Sequence, residues 1–162
     1  MPAPIITGLV NFISSQFAVT VWDGEIPRYD PSGNPINPDA IAVTPTVWPI
    51  VKVSMNESGF EREWTTEDPY TDKGEILINV WNTSRASAEA AMNNIEALLA
   101  RASNWSNIQL GGDPSNPNYI IHLLLSRWYS GQEEGVRTSK SELLYRCDLH
   151  YEAMLHGAVA TA

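Results

Sequence analysis

The sequence predicts an α+β fold in a single domain, with a mixed or antiparallel sheet of four to five strands and two helices packed on one face. Three observations predict this fold. The 162 residues are the length of one domain, and 43% of them are hydrophobic, which is enough for a core. Two segments repeat apolar residues at helical spacing. Several others alternate apolar and polar residues, as strands do. Residues 1–162 are therefore expected to form one domain with long loops.

The first predicted helix spans residues 4–18, because apolar residues recur there at helical spacing. These residues are Ile6, Leu9, Ile13 and Phe17. Residues 19–22 then change to a short β-like run, and Asp23-Gly24 is a turn signal. The chain therefore passes from a helix into a short strand.

Residues 27–46 contain five prolines and predict an irregular loop of about twenty residues. A strand follows at residues 47–55, and Pro49 is expected to place it at an edge or a bulge, because proline cannot donate to a ladder. Loops longer than roughly 12–15 residues are usually functional or disordered. The proline-rich segment is therefore a candidate for contact with a partner.

Residues 57–75 form a second unusual segment, which holds seven of the 19 acidic residues. The charges alone favour a solvated loop over the alternative, a site for a cation or a basic partner. Three aromatic residues lie among the charges, namely Phe60, Trp64 and Tyr70. Large rings in a polar loop favour contact with a partner. A solvated loop and an inter-subunit contact both remain open here.

The second half predicts a strand at residues 75–81 and then a helix that Thr83 or Ser84 caps and that ends near residue 102. A broad apolar stripe supports this helix: Ala88, Ala91, Met92, Ile95, Leu98, Leu99 and Ala102. Two further strands, at residues 119–129 and 143–155, predict a long antiparallel hairpin with a polar loop at 130–141. The unit from residue 75 to 129 fits a right-handed crossover, which would make the sheet mixed.

The charge balance excludes the commonest nucleic-acid-binding classes. Ten basic residues oppose 19 acidic ones, which gives a net charge of -9, and no basic footprint for phosphates is present. Cys147 is the only cysteine, so an intramolecular disulfide and a cysteine-based zinc site are both excluded. We expect no membrane span and no signal peptide, and synthesis in a reducing cytoplasm.

The histidines give the only candidate chemistry, and they predict no catalytic, metal or cofactor site. His150, Glu152 and His156 lie on one predicted strand and would spread over about 20 Å, too far for metal ligands. His122 lies in an apolar run, where a structural histidine is expected. No nucleophile elbow, phosphate loop or dinucleotide fingerprint is present. Two alternatives stay open: a small enzyme that uses His122 and His150, and a peptide-binding module that adds a strand at the Pro49 edge.

Three segments together follow a familiar order. An N-terminal helix leads into residues 21–27, Val-Trp-Asp-Gly-Glu-Ile-Pro. The strand at 76–81, Ile-Leu-Ile-Asn-Val-Trp, leads directly into the helix at 84–102. The terminal strand contains residues 145–152, Tyr-Arg-Cys-Asp-Leu-His-Tyr-Glu. In this order of elements the chain resembles the tail terminator (tail completion) proteins of long-tailed bacteriophages. The long proline loop departs from the minimal pattern of that family.

The resemblance implies a structural virion protein with no enzymatic activity and no cofactor. Such subunits form a ring-shaped homo-oligomer, usually a hexamer, at the junction of tail and head. The ring caps the tail tube protein, stops tube polymerisation and offers a surface to the head connector protein. Genomic DNA passes through it without specific binding, and an acidic protein agrees with that passage. Another head–tail connector, such as a stopper or head-completion protein, is the alternative within the same class.

Four aromatic residues are the candidate assembly-interface residues: Trp22, Phe60, Trp64 and Tyr70. The loops at 27–46, 57–75 and 130–141 are expected to contact neighbouring subunits or the tube, because they are too long to be simple connections. Deletion of residues 31–44 is expected to spare the fold and abolish assembly.

Overall fold

The computed structural model describes residues 3–17, 19–39, 42–43, 48–63, 71–105, 108, 119–138 and 141–157. The helices are α1 (Ala3–Phe17), α2 (Arg85–Leu99) and α3 (Ala102–Trp105). The strands are β1 (Val21–Asp23), β2 (Ala42–Val43), β3 (Ile50–Glu63), β4 (Thr71–Asn82), β5 (Tyr119–Thr138) and β6 (Leu143–Gly157). None of the helices in these ranges is long and apolar enough to cross a membrane.

The six strands form one mixed sheet in the order β1-β3-β4-β6-β5-β2. The four inner strands are antiparallel to one another, whereas the outer strand β1 runs parallel to β3 and the outer strand β2 runs parallel to β5. The α+β class and the mixed sheet are confirmed, but six strands exceed the predicted four to five. The additional strand is β2, which has only two residues, whereas the short strand β1 falls in the predicted β-like run after the first helix. A period of two cannot be recognised over so few positions.

The chain order places β6 between β4 and β5. Strand β4 leads through α2 and α3 toward β5, and β6 then returns antiparallel to both of them. The predicted unit from residue 75 to 129 therefore joins two parallel strands that are not adjacent, as in a split β-α-β motif. The predicted hairpin of β5 and β6 is confirmed. Because β6 lies between β4 and β5, β5 is placed near the edge of the sheet.

Both long helices lie on the same face of the sheet, as predicted. The apolar faces of α1 and α2 form one core cluster with β3, β4 and β6. Its fully buried sheet residues include Val51, Val53, Ile76, Ile78, Val80 and Cys147. Ser84 caps α2, because its side chain accepts a hydrogen bond from the Ser87 backbone N–H. The core therefore lies between the helices and one side of the sheet, and we call the other side the helix-free face.

Two segments expected to be loops are largely strand, which corrects the prediction. Strand β3 continues to Glu63 and β4 starts at Thr71, so most of the predicted loop at 57–75 is a pair of hairpin arms. Likewise, β5 continues to Thr138, through most of the predicted loop at 130–141. Charged side chains do not prevent backbone pairing where one sheet face meets water. Pro49 is also corrected, because it lies before the first residue of β3 and not within the strand.

The described part of the proline-rich loop is irregular, as predicted, but it is held to the sheet. Its tip is a turn in which the Asn34 backbone N–H donates to Asp30 Oδ1 at 2.8 Å. The Asn37 side chain donates to the Ile26 carbonyl at 2.7 Å. Strand β2 brings the buried Val43 against Leu144. A deletion of residues 31–44 would remove β2 and uncover that contact, so the expectation that it spares the fold is withdrawn.

Candidate assembly surface

The helix-free face carries a buried polar pair at the centre of the sheet. Asn79 on β4 lies directly opposite Asp148 on β6, and its amide donates to the Asp148 carboxylate at 2.6 Å. Arg146 Nε lies 3.2 Å from the same carboxylate oxygen. The Arg146 guanidinium also lies over the ring of Tyr129, 5.5 Å from its centroid. These contacts join β4, β6 and β5 on the face that no helix covers.

A second polar group lies farther along the same face. His150 Nδ1 is 2.9 Å from Glu75 Oε1, and Arg127 Nη2 is 3.8 Å from that oxygen. When Nδ1 carries the proton, His150 donates to the carboxylate. The group ties β6 to both of its neighbours, because Glu75 is on β4 and Arg127 is on β5. These three side chains therefore form a structural contact between neighbouring strands.

The two histidines of the enzyme alternative do not meet. His122 on β5 lies opposite Met154, four positions from His150 along β6. That separation is about 13 Å along the sheet. The His122 ring instead contacts Trp105 edge-on, with the ring centroids 5.7 Å apart. Within the described ranges, no three His, Cys, Asp or Glu side chains converge as metal ligands.

Cys147 is fully buried in the core between the sheet and the helices. Burial raises the pKa of its thiol, because the thiolate would lose its hydration there. A raised pKa lowers the thiolate fraction at neutral pH, and the thiolate is the reactive form. The side chain therefore acts as a small core residue, as its place on the apolar face of the last strand predicts.

Strand β5 carries most of the exposed large apolar side chains of the described residues. Leu124 and Trp128 are each 63% exposed, and Tyr129 is 47% exposed. Leu124 and Tyr129 lie on the helix-free face, opposite Glu152 and Asp148, whereas Trp128 lies opposite the core residue Leu149. The strand thus exposes apolar surface on both faces of the sheet. Exposed aromatic side chains grouped in this way are typical of protein interfaces.

Trp128 forms one wall of a groove between α2 and the sheet. The groove has a volume of about 410 Å³, with Met92 and Leu125 among its apolar residues and Glu89 and Glu96 on α2 as its acidic ones. Hydrogen bonds from Ser130 Oγ at 2.7 Å and Arg85 Nε at 2.9 Å hold the Glu89 carboxylate, and they lower its pKa. The groove therefore combines an apolar floor with fixed negative charge.

The structure describes only part of the predicted assembly-interface set. Trp22, on β1, packs partly buried against a small cluster of Ile26, Ile50 and Trp81. Phe60 lies on β3 opposite Gly74, and its side chain is outside the described residues. Trp64 and Tyr70 also lie outside them. Trp22 is not brought together with the exposed residues of β5, and the interface role of the four residues stays a prediction.

Leu124, Trp128 and Tyr129 were not predicted to be surface residues. A signal was present, because residues 119–129 are apolar on both faces with no period of two. That pattern is typical of a strand buried on both sides, and an exposed strand that a partner covers has the same pattern. Only the position of β5 in the sheet separates the two cases.

No protein-family model matches the chain, and no curated protein matches it. Among solved structures, the chain is similar to one described as "Virion of native gene transfer agent (GTA) particle". The two chains share 14% sequence identity with a TM-score of 0.49, over 94% of this chain and 92% of the other. The function of the chain is therefore inferred from its own residues and fold.

Proposed function

We propose that this protein is a structural virion subunit, and specifically a tail terminator that caps the phage tail tube and joins tail to head. In this role it forms a ring of identical subunits, with six as the expected number. The ring stops tube polymerisation on one side and binds the head connector protein on the other. No covalent chemistry is involved, so the mechanism is the geometry of the contacts.

The observation that carries the proposal is the excess of strand over helix. Strand β5 has 20 residues and reaches about 65 Å when extended, whereas α2 has 15 residues and is about 22 Å long. Two helices of this length cannot cover such a sheet, and β5 keeps apolar side chains in water. Monomeric proteins rarely leave such surface uncovered, so the sheet is suited to completion by other subunits.

The order of elements also supports the proposal. The three segments that carry the resemblance fold as expected: a helix that precedes Trp22, a strand that leads through the Ser84 cap into α2, and a long terminal strand. They meet in one core on one side of the sheet. The net charge of -9 agrees with a ring through which DNA slides without being held.

The test is removal of the gene from a phage that carries it, followed by measurement of tail lengths by electron microscopy. Tails of uncontrolled length would support the terminator role, and the wild-type gene supplied in trans should restore one length. Tails of normal length beside heads that leak DNA would contradict it and favour the stopper role. Native mass by light scattering, over a range of concentrations, then tests for the ring.

The proline-rich loop can be tested without disturbing the sheet. Replacement of residues 30–34 by Asn-Gly shortens only the tip of the loop and keeps β2 and the contacts of Ile26. We expect the shortened protein to melt at the wild-type temperature and to fail to restore tail length. Full restoration would show that the loop tip makes no essential contact.

A further inference from the structure

We propose that the outer edge of β5 is the surface through which a second copy of this chain joins the sheet, by pairing with the outer edge of that copy's β3. The inference rests on the proposed function, because it names the contact between neighbouring subunits of the ring. On β5 it uses none of the four aromatic residues that the sequence singles out, whereas the β3 side of the contact contains Phe60.

Among the described residues, only the short strand β2 pairs with the outer edge of β5. Strand β2 pairs with β5 only at Arg137 and Thr138, and no other strand in the described ranges lies on that side. Backbone N–H and C=O groups of an open edge strand form a template for another strand. Natural edges are usually protected by charges, proline or bulges. In β5 one bulge lies between Leu125 and Arg127, and a second lies between Glu133 and Arg137. The stretch before the first bulge, residues 119–125, is regular and therefore remains suited to pairing with another strand.

The side chains beside this edge are those of an interface. Of the four exposed large apolar residues in the described ranges, three are on β5: Leu124, Trp128 and Tyr129. They flank the edge on both faces, so one added strand with its own side chains would cover all three. Tryptophan and tyrosine are enriched among the residues that contribute most to binding. The apolar surface and the open backbone therefore coincide.

The opposite edge of the same sheet offers the complementary strand. Strand β1 pairs with β3 only at Val51, Lys52 and Val53. Within the described ranges, the rest of β3 has no strand beside it on that side. Strand β3 is antiparallel to β4, β4 to β6, and β6 to β5, so β3 and β5 run in opposite directions. When neighbouring copies are related by rotation about an axis parallel to the strands, each strand points in the same direction in every copy. The β5 strand of one copy then meets β3 of the next as an antiparallel pair.

Such a contact uses different surfaces on the two copies. It is heterologous, and it generates a ring when the rotation closes. A contact between two β5 strands would instead be isologous and would stop at a dimer, with both β3 edges left open. In the part of the chain that the structure describes, β5 and β3 each have a long unpaired stretch on the outer side of the sheet, and only the heterologous contact covers both.

The charges of the two edges favour the same pairing. The part of β5 around Leu124 and Trp128, residues 119–132, carries Arg127 and no carboxylate, and the two glutamates of the strand follow at positions 133 and 134. Residues 54–63 of β3 carry Glu57, Glu61 and Glu63 against the single Arg62. Opposite charges across a strand pair stabilise it, and like charges directly opposite each other destabilise it.

The first experiment weakens the contact without touching the core. Leu124→Glu and Trp128→Glu place a carboxylate at exposed positions, where it should repel the glutamates of the neighbouring β3. Tyr29→Glu is the matched control, because Tyr29 is 54% exposed in the proline-rich loop, away from the β5 edge. We expect the two β5 variants to need at least tenfold more protein to assemble, by light scattering, and to melt like the wild type. Assembly of both at the wild-type concentration would overturn the proposal.

The second experiment identifies the partner strand. Leu124→Cys is combined with Ser54→Cys, Asn56→Cys or Ser58→Cys, since three positions allow for the register of the pair. Ser54 and Leu124 both lie on the helix-free face. Oxidation of one double variant should give a ladder of covalent multimers on a non-reducing gel, and each single variant should give none. A covalent dimer from Leu124→Cys alone would show the two-fold contact and overturn the proposal.

The outcomes separate this proposal from the proposed function. In one outcome, a phage without the gene makes long tails, and the Leu124→Glu protein restores the normal length. This outcome would support the terminator role and overturn the β5 contact. In a second outcome, a double cysteine variant gives the ladder, but a phage without the gene still makes tails of normal length. This outcome would support the β5 contact in a different assembly and overturn the terminator role. A wild-type protein that stays monomeric while no double variant gives a ladder would overturn the β5 contact.

Discussion

Removal of the Asp148 carboxylate should destabilise the sheet through the groups that it leaves behind. Asn79 is 5% exposed and Asp148 is 8% exposed, and they form one hydrogen bond of 2.6 Å between β4 and β6. In Asp148→Ala, the Asn79 amide stays buried and loses its acceptor. Arg146 loses a carboxylate that lies 3.2 Å from its Nε atom.

The expected loss follows from these two contacts. An unsatisfied buried donor costs about 1–3 kcal/mol. The ion pair adds less, about 0–1 kcal/mol, because the Arg146 side chain is one-third exposed and water screens it. We therefore expect Asp148→Ala to lower the free energy of unfolding by about 2–3 kcal/mol. Asn79→Ala should cost less, since Asp148 then keeps Arg146 as its partner.

Urea unfolding of the two single variants and of the double variant measures the coupling between the residues. Since the second substitution removes the group that the first leaves unsatisfied, the double variant should cost about 1 kcal/mol less than the sum of the singles. Glu152→Ala is the control, because Glu152 is exposed on the same strand and the same face. Additive costs, or an Asp148→Ala loss no larger than that of Glu152→Ala, would refute the role of the pair.

Two further predictions test α2 and the core. Ser84→Ala should cost about 1 kcal/mol in urea unfolding, because it removes the side chain that accepts from the Ser87 N–H, and Ser84→Asp should keep the cap. Tyr151→Phe should leave stability at pH 7 unchanged or higher, because the buried Tyr151 hydroxyl has no partner among the described residues. Burial raises the pKa of Tyr151. The unfolded chain therefore ionises first, above about pH 10, and only the wild type should lose stability there through this group. A difference between the two proteins that is constant from pH 7 to 11 would contradict this.

The long central elements could be predicted because their own residues determine them. Helix α2 combines a Ser84 cap with an apolar stripe, and both signals lie within one short stretch of chain. Ile76 and Ile78 alternate with less buried neighbours, and their side chains are fully buried as expected. In each case the pattern of burial repeats with the period of the backbone. The core face of the sheet could therefore be identified before the structure.

The hairpin arms and the two-residue strand β2 could not be predicted, because distant residues determine them. Residues 57–63 and 130–138 have the composition of loops, but they are strands because a partner strand runs beside them. Val43 joins the sheet in a two-residue strand only because Leu144 and the end of β5 are nearby. Strand pairing of this kind depends on tertiary context more than on intrinsic preference.

The surface of β5 shows how topology decides what an apolar strand does. Residues 119–129 would form a buried central strand if β5 lay next to β4. Instead, β6 occupies that position, and β5 is left with a two-residue partner on its outer side. The same apolar side chains then become exposed at an edge, and β1 is the only strand of the described residues that pairs with the outer side of β3, at Val51, Lys52 and Val53. If a neighbouring copy with the same orientation pairs with each of these two edges, as we propose, the contact repeats from copy to copy and closes as a ring.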